Sequence, residues 1–233
     1  LTDDDLPAPE PDDDYPTVGI IDSGTDPDND RLQAWVTTRD ETLVPRADQN
    51  NKHGSLVAGM IINSRGLNHD HPGFPSGRAR IVDVVAIPGS GSVTEEDLLD
   101  ALRHAFETHP DVRIWNMSLN SRNRCRSDRF STFAVALDRL QDDFNTLIVN
   151  SAGNFGERPA HPWRRPDLSD RDRVYRPADS LRALTVGSIA HIHQPNACAR
   201  PGEPSPFTRK GPGAAFVPKP DLTHIGGNTN RNL

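Results

Sequence analysis

Cysteine is nearly absent: Cys125 and Cys198 are the only two in 233 residues. Two cysteines this far apart make no disulfide framework, and a single bridge and two free thiols stay equally open. Long apolar runs are missing as well. None reaches membrane-spanning length, so no membrane helix is expected. The start, at Leu1 rather than Met, has no basic-then-apolar secretion signal. That absence leaves the compartment open, with the bacterial cytoplasm slightly favoured over secretion. Hydrophobic residues are scarce at 34%, so part of the chain is expected to be loop or tail. Excess positive charge is missing too. The net charge is −7, and phosphate contacts need clustered Lys and Arg, which excludes a general nucleic-acid binder. Local arginine clusters (Arg122, Arg124, Arg126, Arg129; Arg164, Arg165, Arg171, Arg173) sit among aspartates and read as solvated, salt-bridged loops.

What is present is ordered along the chain. Residues 1–15 are Asp, Pro and Glu with few apolar side chains, and they read as an acidic tail or linker that cannot offset its ordering entropy. From residue 16 the pattern changes. Thr17–Asp22 is a short apolar run followed by turn residues, which predicts a buried strand. Residues 80–86, 112–117, 145–151 and 183–189 predict four more strands. Residues 94–107 predict a helix with Leu98, Leu99, Leu102, Ala105 and Phe106 on one face, capped by Thr94 with Asp97. Phe130, Phe133, Ala134, Leu137 and Leu140 predict a second amphipathic helix. Strands alternating with helices imply right-handed crossovers and an α/β fold, a three-layer, doubly wound, mostly parallel sheet. Ligand sites in such sheets lie beyond the carboxyl ends of the strands, where Asp22, Ser118 and Asn154 fall.

Each of these motifs has an ordinary explanation alone. Asp22, before Ser23-Gly24-Thr25, can orient a histidine or merely close a strand with a turn. His53, opening His53-Gly54-Ser55-Leu56-Val57-Ala58-Gly59, can be a general base or one of nine surface histidines. Asn154, closing Ser151-Ala152-Gly153-Asn154, can donate to an oxyanion or hold a loop. A phosphoryl-transfer reading of Asp22 needs a second acid two residues on, where Gly24 stands.

Asp-Ser-Gly, His-Gly-Ser-x-Val-Ala-Gly, Asn-Met-Ser-Leu and Ser-Ala-Gly-Asn appear in one order at α/β spacing, and that ordered set resembles the subtilisin-like serine proteases. Tyr175-x-Pro177-Ala178 before Leu184–Ser188, Phe207-Thr208-Arg209-Lys210-Gly211-Pro212 and Lys219-Pro220-Asp221-Leu222 extend the resemblance from about Thr17 to Gly227. The resemblance implies a peptidase domain over 16–233 in which Asp22 supports His53, His53 moves the proton and Asn154 donates to the oxyanion. It also implies that Ser118, Leu119 and Asn120 pair with an extended peptide substrate. Ser151, Ala152 and Gly153 would wall the primary specificity pocket.

Departures accompany the resemblance. The family's Gly-Thr-Ser-x-Ala-Pro motif is absent from these 233 residues, so the serine is expected downstream of Leu233 and the chain alone is expected to be inactive. The alternative is a pseudoprotease that binds peptides without cleaving them. Asn120 stands where the family has glycine and narrows the cleft. His224-Ile225 stands where it has Ala-Pro. No cofactor is assigned. Family members often bind calcium, but Asp26, Asp28 and Asp30 lack the following bidentate glutamate. His69-Asp70-His71 and His191-Ile192-His193 lack further ligands at zinc spacing. The acidic start suggests a regulatory domain or partner upstream.

Overall fold

The computed structural model describes residues 5–90, 92–156, 170–192 and 195–229. The chain divides into two compact units, Leu1–Ser118 with Asp142–Ile148, and Leu119–Gln141 with Val149–Leu233.

The first unit is built on β1 (Thr17–Asp22), whose parallel neighbours are β3 (Arg80–Val85) and β4 (Ile114–Met117). β2 (Val36–Asp40) continues the order outward from β3. The strand order β2-β3-β1-β4 places crossovers between parallel strands, as the alternating pattern requires. Two helices, α1 (Asp30–Gln33) and α2 (Lys52–Leu67), lie on one face, where Leu32, Ala58 and Ile62 pack with Ile20, Trp35 and Ile81. Gly19, the neighbour of Ile20 in β1, points the opposite way. A Cβ there would stand 2.0 Å from the Trp115 ring, so the absent side chain makes room for tryptophan. Trp115 in turn packs on Phe106 of α3 (Glu95–Thr108), with ring centroids 5.3 Å apart. Helices thus cover both faces of these strands. The helix α3 begins with the expected box: Thr94 Oγ1 accepts from Asp97 N, and the Asp97 carboxylate accepts from Thr94 N.

Residues 5–15 are not the loose tail that their composition suggests. Leu6 is 2% exposed within the Ile20–Trp35 cluster. Trp35 Nε1 donates to Pro7 O at 2.8 Å, and Asn63 Nδ2 donates to Asp5 O at 2.9 Å. Tyr15 meets Trp35 edge-on at 4.8 Å. One leucine, one tyrosine and two side-chain bonds anchor a segment whose acidic residues stay in solvent.

The second unit carries most of α4 (Thr132–Phe144), then β6 (Leu184–Ile189) and β7 (Leu222–Ile225), with the end of β5 (Leu147–Ser151). These strands are parallel in the order β5-β6-β7. Phe133, Ala134, Leu137 and Leu140 are the buried face of α4, and Phe130 precedes the helix. Two strands escaped the sequence pattern. β2 has one apolar residue in Val-Thr-Thr-Arg-Asp, and β7 is exposed along Leu222, Thr223 and His224. Both lie at an end of their unit's strand order, where one side lacks a strand neighbour. The cysteines are both free, with Cys125 buried and Cys198 half-buried.

Candidate active site

Asp22 is the last residue of β1 and pairs with Val85 of β3, so the strand fixes its backbone. Its carboxylate is 1% exposed and accepts Ser23 N–H at 2.7 Å. The turn that follows is tied down by a buried acid on β3. Asp83 Oδ2 accepts Thr25 N at 2.8 Å, Thr25 Oγ1 at 2.6 Å and Arg39 Nη1 at 2.6 Å. A fully buried carboxylate requires such partners, and the Arg39 bridge from β2 supplies the counter-charge.

His53 sits in the first turn of α2. The helix approaches the Asp22 turn closely because residue 54 is glycine: a Cβ there would stand 2.2 Å from Gly24 O. Gly54 N then donates to Ser23 Oγ at 3.1 Å, and Asn51 Nδ2 donates to Ser23 O at 3.1 Å. These contacts set His53 Nδ1 2.8 and 2.9 Å from the two Asp22 oxygens. An ionised carboxylate only accepts, so Nδ1 carries the proton and the Nε2 lone pair is left free. The imidazole is 54% exposed, which opens Nε2 to a reactant. The Asp22 hydrogen bond and charge raise the His53 pKa above its ordinary value, against the opposing effect of burial.

The second unit holds all the remaining candidates except Ser118. Asn154 lies three residues past β5, bridged to Thr208, and Phe155 N donates to Phe207 O at 2.6 Å. Its side chain is exposed and makes no hydrogen bond among the described residues. Arg209, which sequence reasoning passed over, holds this loop from behind. It is 4% exposed and donates from Nε to Asn154 O at 2.9 Å and from Nη1 to Arg171 O and Arg173 O at 2.8 and 3.0 Å. Gly153 has a φ of +93°, and a Cβ there would press on Tyr175 and Arg209 at 3.0 and 3.1 Å. Ser151 and Asn120 are joined directly by two hydrogen bonds of 3.0 Å. Ala152 is buried with Cys125, Val174 and Ala178, and Leu119 is half-buried. Ser118, just past β4 in the first unit, donates to Asn116 Oδ1 at 2.9 Å.

Two of the four serines that follow glycines are engaged elsewhere. Ser55 Oγ accepts Asp26 N at 2.9 Å, and Ser188 Oγ bonds Ser205 Oγ at 2.6 Å. Among the described residues no group of three or more His, Cys, Asp or Glu side chains is disposed to hold a metal. Asp26 Oδ1 accepts Asp28 N, and His71 Nδ1 accepts Gly73 N. His193 and most of the 155–176 loop, with Arg164 and Arg165, lie outside the described residues.

The uncharacterized protein y4bN of Sinorhizobium fredii (strain NBRC 101917 / NGR234) is 35% identical over 49% of this chain. The chain spans only 31% of that relative's length. The prenylagaramide maturation protease PagA superposes with a TM-score of 0.55 at 19% identity, over 94% of this chain and 69% of its own. A lanthipeptide protease superposes with a TM-score of 0.60 at 20% identity, over 93% of this chain and 56% of its own. At such identities the likeness concerns the fold. The family model is more direct: it matches residues 13–233, and by that match the chain belongs to the subtilase family.

Proposed function

We propose that this chain is the Asp- and His-bearing part of a serine endopeptidase that cleaves extended peptides. The observation that carries the reading is the buried Asp22 carboxylate bound to Nδ1 of a half-exposed His53. In this reading the nucleophilic serine lies beyond Leu233. Its Oγ attacks the scissile carbonyl while its proton passes to His53 Nε2, and the carbonyl π electrons move onto oxygen. The Asn154 amide donates to that oxyanion. The C–N bond then breaks, the amine leaves with the proton from His53, and water hydrolyses the acyl-enzyme by the same route. Ser118, Leu119 and Asn120 pair with the substrate backbone, and Ser151, Ala152 and Gly153 wall the pocket of the residue before the scissile bond.

Two features support a serine segment downstream. Ser55 and Ser188 are held in structural bonds. On one face of the second unit's sheet, Val149, Leu184 and Val186 are half-buried and Leu222 is 54% exposed. Parallel sheets are normally covered on both faces, which leaves a place for a further packed segment. No cofactor enters the mechanism, and residues 1–233 alone are expected to lack peptidase activity.

The test is a fluorophosphonate probe on the full-length gene product, followed by intact mass and peptide mapping. An adduct on a serine beyond Leu233, abolished by His53→Ala, supports the peptidase. A folded full-length product that takes up no probe and cleaves no peptide rejects it, and peptide binding by that product is the mark of a pseudoprotease.

A further inference from the structure

Resting on the peptidase reading, we infer that Asn120 closes the primary specificity pocket and restricts the residue before the scissile bond to glycine, alanine or serine. The strip proposed to wall that pocket, 151–153, and the strip proposed to pair with the substrate, 118–120, are stitched together by Ser151 and Asn120. Asn120 Nδ2 donates to Ser151 O at 3.0 Å, and Ser151 Oγ donates to Asn120 Oδ1 at 3.0 Å. The bridge uses the amide's donor and acceptor at once and engages a main-chain carbonyl of the opposing strip. Both residues are half-buried, so water replaces these bonds only in part.

The strips are also fixed from behind. Ser121 N donates to Arg176 O at 3.0 Å, one residue past Asn120. Ala152 N donates to Val186 O at 3.0 Å, its carbonyl accepts Tyr175 N at 3.2 Å, and the residue is 2% exposed. Walls anchored in this way cannot spread to admit a side chain beside the bridge. A large side chain must break it, leaving an amide and a carbonyl unpaired. A methyl or hydroxymethyl group stays above it. Glycine, the usual residue of the family at this position, has nothing with which to reach Ser151.

The test compares kcat/KM of the full-length gene product on peptides that differ only in carrying Ala, Leu or Phe before the scissile bond. Alanine is expected to exceed phenylalanine on the order of 10- to 100-fold, the scale of two lost hydrogen bonds in a pocket. Asn120→Gly should reverse that ratio, and Ser151→Ala, which removes one bond of the two, should narrow it. The ratio is an internal control, because a general loss of structure lowers all three substrates alike. If Asn120→Gly does not fold, Ser151→Ala carries the test. Phenylalanine or leucine cleaved as well as alanine by the natural protein, or a ratio unmoved by the variants, overturns the bridge and leaves the peptidase standing. Absence of both cleavage and fluorophosphonate labelling overturns the two together.

Discussion

At the scale of the residue, the Asp22–His53 pair behaves as one acid–base unit. The bond to Asp22 raises the His53 pKa above 6.5, so the imidazole stays protonated to higher pH than an isolated one. A general base must be neutral, and kcat/KM of the full-length product is therefore expected to climb through a limb above pH 6.5. Asp22→Asn should move that limb down and lower kcat by about 10,000-fold, because the proton then has no carboxylate to hold it on Nδ1. Titration of the His53 ring by NMR checks the shift in residues 1–233 alone, without the nucleophilic serine, and an unchanged pKa in Asp22→Asn would sink the pairing. Arg209 is the second position to test. Arg209→Met frees the Asn154 carbonyl and should lower kcat by about 10- to 100-fold with little change in KM. Asn154→Ala should cost about 100-fold, a magnitude taken from subtilisin's own oxyanion donor. If Arg209 acts through Asn154, its effect shrinks in the Asn154→Ala background, which steady-state kinetics of the double variant measures. Asp22, His53 and Asn154 stand out in the sequence as candidates because each adjoins a short run of small residues. Arg209 does not, because its acceptors are main-chain carbonyls as far as 55 residues away. Asp83 did leave a signal, a charge inside the apolar run of residues 80–86.

At the scale of the element, the site depends on how closely α2 meets the end of β1. Gly54 permits that approach, and a methyl group there would collide with Gly24 O. Gly54→Ala is expected to destabilise the chain by about 1–3 kcal/mol as the helix is pushed outward. The same displacement stretches the bond from Nδ1 to Asp22, so the His53 pKa should fall back toward 6.5. Urea denaturation and NMR titration of one sample check both effects, and loss of stability with the His53 pKa intact would separate the helix contact from the site. The elements themselves were legible in proportion to their burial. β1, β3 and α3 were read nearly to the residue, since an apolar run or stripe marks each. β2 and β7 carry polar side chains and lack one strand neighbour, so the period-two pattern fades. The 5–15 segment misled in the other direction: its composition is acidic, and Leu6 with Tyr15 outweighs it.

At the scale of the whole molecule, pH acts on stability through groups whose slopes oppose. His53 has a raised pKa, so its contribution is full below pH 6.5 and is lost as pH rises through the folded value. His109 is shifted the other way, mainly because burial disfavours the imidazolium, with Asp40 opposing and His104 assisting. Its contribution is full above pH 6.5 and is lost as pH falls through the lowered value. The two windows meet at 6.5, so the natural chain is expected to be most stable near that pH, losing stability above it through His53 and below it through His109. Single variants should unmask each slope. With His53→Ala the loss above pH 6.5 should disappear and only the loss below it remain, and with His109→Gln the reverse. Further into acid, Asp40 takes over. Burial alone would raise its pKa, but bonds from Thr42 and His104 hold it below 3.8, so its share is lost as pH falls through that lowered value. Urea midpoints across pH 3 to 9 for the three proteins measure all of this. A loss above pH 6.5 that persists unchanged in His53→Ala would mean that His53 is not held by Asp22 in solution, and the acid–base unit on which the proposed chemistry rests would fall with it.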